Sequence, residues 1–128
     1  MTQEEKYLLF KDLCARLPYH THVKVWLKDG TTEEGKLDLE HNYGDVLRDV
    51  FYYDKIVKIK PFLFPLSSMT EEEKEEYCQL QQRVIYNSKG VINEDVTEYI
   101  NWCYKKHLDI NNLISMELAI DATGLNIY

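Results

Sequence analysis

The stretch that most constrains this chain is residues 60–76, Lys-Pro-Phe-Leu-Phe-Pro-Leu-Ser-Ser-Met-Thr-Glu-Glu-Glu-Lys-Glu-Glu. It separates two kinds of patterning. Residues 23–59 alternate apolar and polar side chains as strands do, whereas residues 71–118 carry apolar side chains at helical intervals. Pro61 and Pro65 bracket Phe62-Leu63-Phe64. Proline lacks the N–H that a ladder or a helix requires, so regular structure is expected to lapse there. Thr70 and Glu73 have the spacing of a capping box, in which hydroxyl and carboxylate each accept an N–H left free at a helix start. Glu71, Glu72 and Glu73 also suit the positive end of the helix dipole. A sheet-forming half followed by a helical half predicts an α+β fold with its switch at this seam.

The length of 128 residues fits one domain, with a helix-plus-sheet part over residues 1–66 and a helical part over 67–128. Residues 1–66 hold ten Lys/Arg against eleven Asp/Glu, a net −1; residues 67–128 hold five against eleven, a net −6. The acidic helical half opposes general coating of a nucleic acid backbone, and leaves room only for a local basic site. Ten tyrosines, each with an apolar body and a polar tip, fit either a core or an adhesive surface. Cys14, Cys78 and Cys103 are widely spaced and odd in number, which predicts reduced thiols. The opening Met-Thr-Gln-Glu-Glu-Lys lacks the apolar core of a signal peptide, and no stretch approaches the roughly 20 apolar residues of a membrane span. A cytoplasmic protein without a membrane partner is therefore expected.

Thr2 and Glu5 form another capping-box spacing, so a first helix is expected from the very start, with Tyr7, Leu9, Phe10, Leu13, Cys14 and Leu17 facing inward and Pro18 ending it. Val23, Val25 and Leu27 alternate with Lys24, Trp26 and Lys28 as a strand. Asp29-Gly30 is a turn signal, and residues 31–39 return as a second strand. Residues 45–53 are predicted as a third strand and 55–59 as a fourth, with Val57 and Ile59 on the core face. Together they predict a small curved antiparallel sheet or partial barrel, glued to the helical part by Phe62, Leu63, Phe64 and Leu66. Beyond the seam a helix is expected over residues 71–86, facing inward with Tyr77, Cys78, Leu80, Val84 and Ile85. Another is expected over 94–106 with Val96, Tyr99, Ile100 and Cys103, and Asp109 can cap a short helix through Leu113, Ile114 and Leu118. Residues 119–128 are expected to add a strand or lie on the surface.

No motif fixes a chemistry. There is no nucleophile elbow, P-loop or glycine-rich dinucleotide turn, and the five glycines do not cluster. The carboxylates gather on a helix start, where they are solvated, and acid–base catalysis needs two in different environments. No catalytic residue and no cofactor is assigned. His20 with His22 and Cys103 with His107 each place two metal-ligand types on one expected face, but neither has the second pair that zinc requires, so no metal site is assigned. The suggestive grouping is basic and aromatic. Arg48, Lys58 and Lys60 interleave with Tyr43 and Tyr52, and Arg16 and Tyr19 follow at the end of the first helix. Flat rings stack on bases while Lys and Arg pair with phosphate. The alternative is an ordinary half-buried sheet, with lysines outward to discourage edge pairing.

Three segments carry a resemblance: Lys-Asp-Leu-Cys-Ala-Arg-Leu-Pro-Tyr over residues 11–19, the seam over 60–73, and residues 102–120 with His107-Leu108-Asp109, Leu113-Ile114 and Leu118-Ala119-Ile120. In that order they resemble a set of short uncharacterised proteins of Bacteroides-type gut bacteria, their phages and mobile elements. The resemblance implies a mobile-element setting, a host-cell cytoplasm and an accessory or counter-defence role. Val-Lys-Val-Trp-Leu-Lys-Asp-Gly over residues 23–30, Gly35-Lys36-Leu37 and Val46-Leu47-Arg48-Asp49-Val50 are in turn similar to the first half of an Sm-like barrel. That family binds RNA bases with the loop corresponding to residues 40–45, but its Asp-x-aliphatic-Asn pattern and its Arg-Gly pair are missing here. The expected function is a non-catalytic binding protein that captures a host protein or a small nucleotide signal. A protein–protein adaptor using the acidic helices, or an Sm-like module for single-stranded RNA, with oligomers, are the alternatives.

Overall fold

A computed structural model describes residues 1–37, 56–86 and 93–128. The first helix, α1 (Gln3–Arg16), begins where its capping box predicts: the Thr2 hydroxyl oxygen accepts the Glu5 N–H at 3.1 Å. Its buried stripe is Leu9, Asp12, Leu13 and Arg16, an i, i+3, i+4, i+7 set that includes a charged pair. Tyr7 lies outside it and is 66% exposed, contrary to the apolar-only expectation. Arg16 donates to Asp12 through Nε at 2.7 Å and Nη2 at 3.1 Å, and Nη2 also reaches the Leu108 carbonyl at 2.7 Å. Asn111 Nδ2 donates to Asp12 Oδ1 at 2.8 Å. This buried pair ties the first helix to the C-terminal segment. α1 ends just before Pro18, as expected, and a 3₁₀ turn, Leu17–Tyr19, leads into the sheet.

Among the described residues four strands form an open mixed sheet in the order β2-β1-β3-β4: β1 (Thr21–Leu27), β2 (Thr32–Leu37), β3 (Ile56–Leu63) and β4 (Ile120–Asp121). β1 and β2 form the expected hairpin. Gly30 supplies the positive φ of the turn, and the Asp29 carboxylate accepts the Thr31 N–H at 2.9 Å. β1 also pairs antiparallel with β3, while β4 runs parallel to β3, so the sheet is mixed, not purely antiparallel, and among the described residues it does not close into a barrel. A bulge opposite Trp26 and Leu27 passes over Val57 and turns it outward, 64% exposed, in place of the expected core position. The inner face carries Val23, Val25, Leu37, Ile59 and Leu63, which pack on Leu9 and Leu13 of α1 and on Leu113, Leu118 and Ala119.

β3 runs straight through Pro61, which overturns the expected lapse at that residue. The lysines on either side of Ile59, Lys58 and Lys60, pair with Trp26 and Lys24 of β1. Pro61 belongs to the alternate set, whose N–H groups point away from β1, and β4 begins only opposite Phe62. The missing donor is therefore not needed. Phe62 and Leu63 are buried, but Phe64 is half-buried and Leu66 is exposed, so the packing between the two parts rests on the first two.

Helix α2 (Glu71–Tyr86) starts with the predicted box: Glu73 N–H donates to the Thr70 hydroxyl at 3.1 Å and Thr70 N–H to Glu73 Oε1 at 3.0 Å. α3 (Asn93–Lys105) packs on it antiparallel through Tyr77, Tyr99 and Trp102. Leu80 and Cys103 are buried, but Cys78, Ile85 and Val96 are exposed, so the inward faces are narrower than expected. Buried Asp109 caps the next segment, accepting N–H groups from Leu113 at 2.7 Å and Ile114 at 2.9 Å. That segment is a run of turns, not a helix, because His107, Asn112 and Glu117 take positive φ and break the repeat. The expected strand over 45–53, the residues beyond Leu37 and the loop over 87–90 lie outside the described residues.

Asp12→Ala should destabilise the protein by about 3–5 kcal/mol, because a buried guanidinium would lose its counter-charge. Replacing both members, Asp12→Leu with Arg16→Met, should cost far less. Urea unfolding distinguishes the two, and equal losses would contradict the buried-pair reading.

Candidate functional site

The sheet's outer face follows from strand alternation. Thr21, Val23 and Val25 point to the core, so His22, Lys24 and Trp26 point out. Their cross-strand neighbours are Lys36, Glu34 and Thr32 on β2, and Lys60 and Lys58 beside Lys24 and Trp26 on β3. This face thus brings Lys24, Lys58, Lys60 and Glu34 around a tryptophan, with Lys36 further along beside His22. Lys58 Nζ, across on β3, lies 4.2 Å from the Trp26 ring centroid, and Lys24 Nζ, two residues earlier on β1, lies 5.3 Å from it. The regular strand spacing holds these groups in place more firmly than a loop would.

Of the residues predicted from sequence, Lys58 and Lys60 lie on this face. Arg16 does not: it is 0% exposed and committed to Asp12 and Leu108, so its role is structural. Its Nη1 has no hydrogen-bond partner among the described residues, and its Cζ sits 4.7 Å from the Tyr104 ring centroid. Tyr19 lies half-buried in the turn before β1. Tyr43, Arg48 and Tyr52 lie outside the described residues. Trp26, Lys24 and Lys36 were missed as site residues. The signal was available in the alternation Val23-Lys24-Val25-Trp26, which already puts Lys24 and Trp26 on one face.

The other end of the outer face is covered. Beyond the Val23–Pro61 pair, β1 and β3 no longer bond directly. The Tyr128 hydroxyl enters the gap, accepting the His22 N–H at 2.9 Å and donating to the Phe62 carbonyl at 2.7 Å. Its ring stacks on His107 at 3.7 Å, meets His22 edge-on at 5.2 Å and packs on Phe64 at 5.6 Å. Two residues further, just past the end of β3, the chain takes a new partner: Phe64 N–H donates to the His107 carbonyl at 2.8 Å, and Asp109 N–H to the Phe64 carbonyl at 2.9 Å. Burial raises the Tyr128 phenol to about 12. Burial, with help from the charges of Arg16 and His22, lowers His107 to about 4, so its ring is neutral at physiological pH.

Neither pairing of His20 with His22 or Cys103 with His107 shares a regular face: His20 sits before β1 in a left-handed conformation, and His107 lies past the end of α3. Among the described residues no three His, Cys, Asp or Glu side chains converge as metal ligands. Burial raises the Cys103 thiol to about 11, which makes it a poor nucleophile. No helix among the described residues is long and apolar enough to cross a membrane. Fold and face together define an α+β protein with an open mixed sheet that presents a basic, tryptophan-centred surface. No family model, curated protein or solved structure matches the chain.

The low value for His107 makes stability depend on pH. The folded state binds its proton more weakly than the unfolded chain, so the stabilisation is complete above pH 6.5 and is lost as pH falls towards 4. After discounting for the part of the ring in solvent, the loss should be roughly 2 kcal/mol. Urea midpoints of the wild type and His107→Gln, compared at neutral and mildly acid pH, should converge on acidification. A constant difference would contradict a neutral, buried imidazole.

Proposed function

We propose that this protein binds, without converting it, a small anionic ligand carrying a flat ring, of the nucleotide class, at the open end of the outer sheet face. One observation carries this reading: Lys24 and Lys58 flank the Trp26 indole from neighbouring positions, with Lys60 beside them. A cation–π contact at an exposed site contributes only about 0.5–1 kcal/mol. A ligand ring can therefore replace the Lys58 ammonium over the indole while that ammonium turns to a phosphate. Stacking on an aromatic side chain contributes about 1–3 kcal/mol per base, so the exchange is favourable. The resemblance to phage and mobile-element proteins supplies the setting, in which capture of a host nucleotide signal would serve counter-defence.

A second reading has its own support. The exposed side of α2 presents Glu71, Glu72 and Glu75, and its end presents Ile85 and Tyr86, a combination suited to a partner protein with a basic, partly apolar surface. The adaptor reading uses that surface and leaves the sheet face idle.

A thermal-shift panel of cyclic mono-, di- and oligonucleotides, ADP-ribose-type molecules and short single-stranded RNA separates the two. A ligand at 100 times its dissociation constant should raise the melting temperature by roughly 8–15 °C. Lys58→Glu or Lys24→Glu should abolish that shift while leaving the melting temperature without ligand within a few degrees of wild type. A flat panel, or binding that survives charge reversal, would contradict the sheet-face reading and turn attention to α2.

A further inference from the structure

A concave site lies beside Tyr128, where the C-terminal segment meets the end of α3 and the 3₁₀ turn Leu66–Ser68. It encloses about 400 Å³, within the range of small-ligand pockets. Phe64, Leu108 and the Tyr128 ring form an apolar wall, and Lys105, Lys106 and Ser68 contribute polar groups. The wall is rigid at its centre, because Tyr128 is stacked on His107 with 14° between ring planes and is held at its hydroxyl by two backbone hydrogen bonds.

Charge selects the occupant. Glu73 is the carboxylate on the lining, and its Oε1 is already held by the Thr70 N–H at 3.0 Å. Its Oε2 stands 3.9 Å from Lys106 Nζ, which offsets one of the two lysines. Lys105, an exposed lysine, is then the net charge of the lining, and the neutral His107 ring adds none. Behind the wall the Arg16–Asp12 pair is neutral as a unit. A cavity with a flat apolar wall and one net positive charge at its rim matches a ligand with a flat apolar body and one negative charge. We propose that this cavity is a second binding site, independent of the sheet face, for a small organic monoanion of the aromatic carboxylate class.

The probe is 2-naphthoate, with 2-naphthamide and acetate as the uncharged and the ringless controls, followed by isothermal titration calorimetry. Naphthoate should saturate one site with a dissociation constant below about 1 mM, and each control should bind about tenfold more weakly or not at all. Lys105→Gln with Lys106→Gln should weaken naphthoate about tenfold, the loss of one charge-assisted contact. Thr123→Trp, which fills the cavity from its exposed rim, should abolish binding; Ser68→Phe fills it from the other side should the first variant not fold. Lys58→Glu should change nothing, so this site and the sheet face fail separately. Absence of saturable binding, equal binding of the amide, wild-type affinity in a folded cavity-filling variant, or loss in Lys58→Glu would each overturn the proposal.

Discussion

One edge of β3 holds the molecule together, because it meets three successive partners in seven residues. At Lys58 and Lys60 it pairs with β1, at Phe62 its carbonyl takes the Tyr128 hydroxyl, and at Phe64 it bonds the backbone at His107 and Asp109. The opposite edge receives β4, with Ala122 N–H donating to the Leu63 carbonyl at 2.8 Å. Buried backbone groups left without partners would each cost about 1–3 kcal/mol, so the loss of any of these partners would weaken the strand's place in the core. Hairpin, C-terminal turns and final segment therefore depend on the same strand.

That arrangement also divides the outer sheet face. Where β3 has exchanged β1 for the C-terminal segment, Phe62 and Phe64 are covered by Tyr128 and its neighbours. Where β3 still pairs with β1, Lys58 and Lys60 stand beside Trp26 and Lys24 on the end that the described part of the tail does not cover. The position of the proposed nucleotide site is a consequence of where the tail stops covering the sheet. The Asp12–Arg16 pair supports the same junction from the inner side, since it holds Leu108 and Asn111 against α1.

Local rules made much of this legible. Both capping boxes, the Asp29-Gly30 turn and the Asp109 cap involve groups within five residues of one another, and each appears where its spacing places it. What escaped the sequence depends on distant partners. Pro61 is tolerated because β4 arrives from nearly sixty residues away and starts one position later. Val57 is turned out by a bulge set by the pairing with β1. Arg16 presents the same difficulty at the site: a basic residue at a helix end suggests a surface ligand contact, and only the fold brings Leu108 to it. Tyr128 gave no signal at all, since its value lies in a gap between two strands. Lys24 and Trp26 are within reach of simple alternation, which places both on one face of β1.

The central claim is that the Trp26 indole is the platform of a binding site. The chain has two tryptophans, so Trp102→Phe leaves Trp26 as the sole indole fluorophore. Its emission, titrated with the nucleotide classes at low salt, tests the claim most directly. The account predicts a saturable quench that weakens as salt rises, because a ring replaces Lys58 over the indole and lysines engage phosphate. Emission that stays flat through the titration, while the protein remains folded, would contradict it.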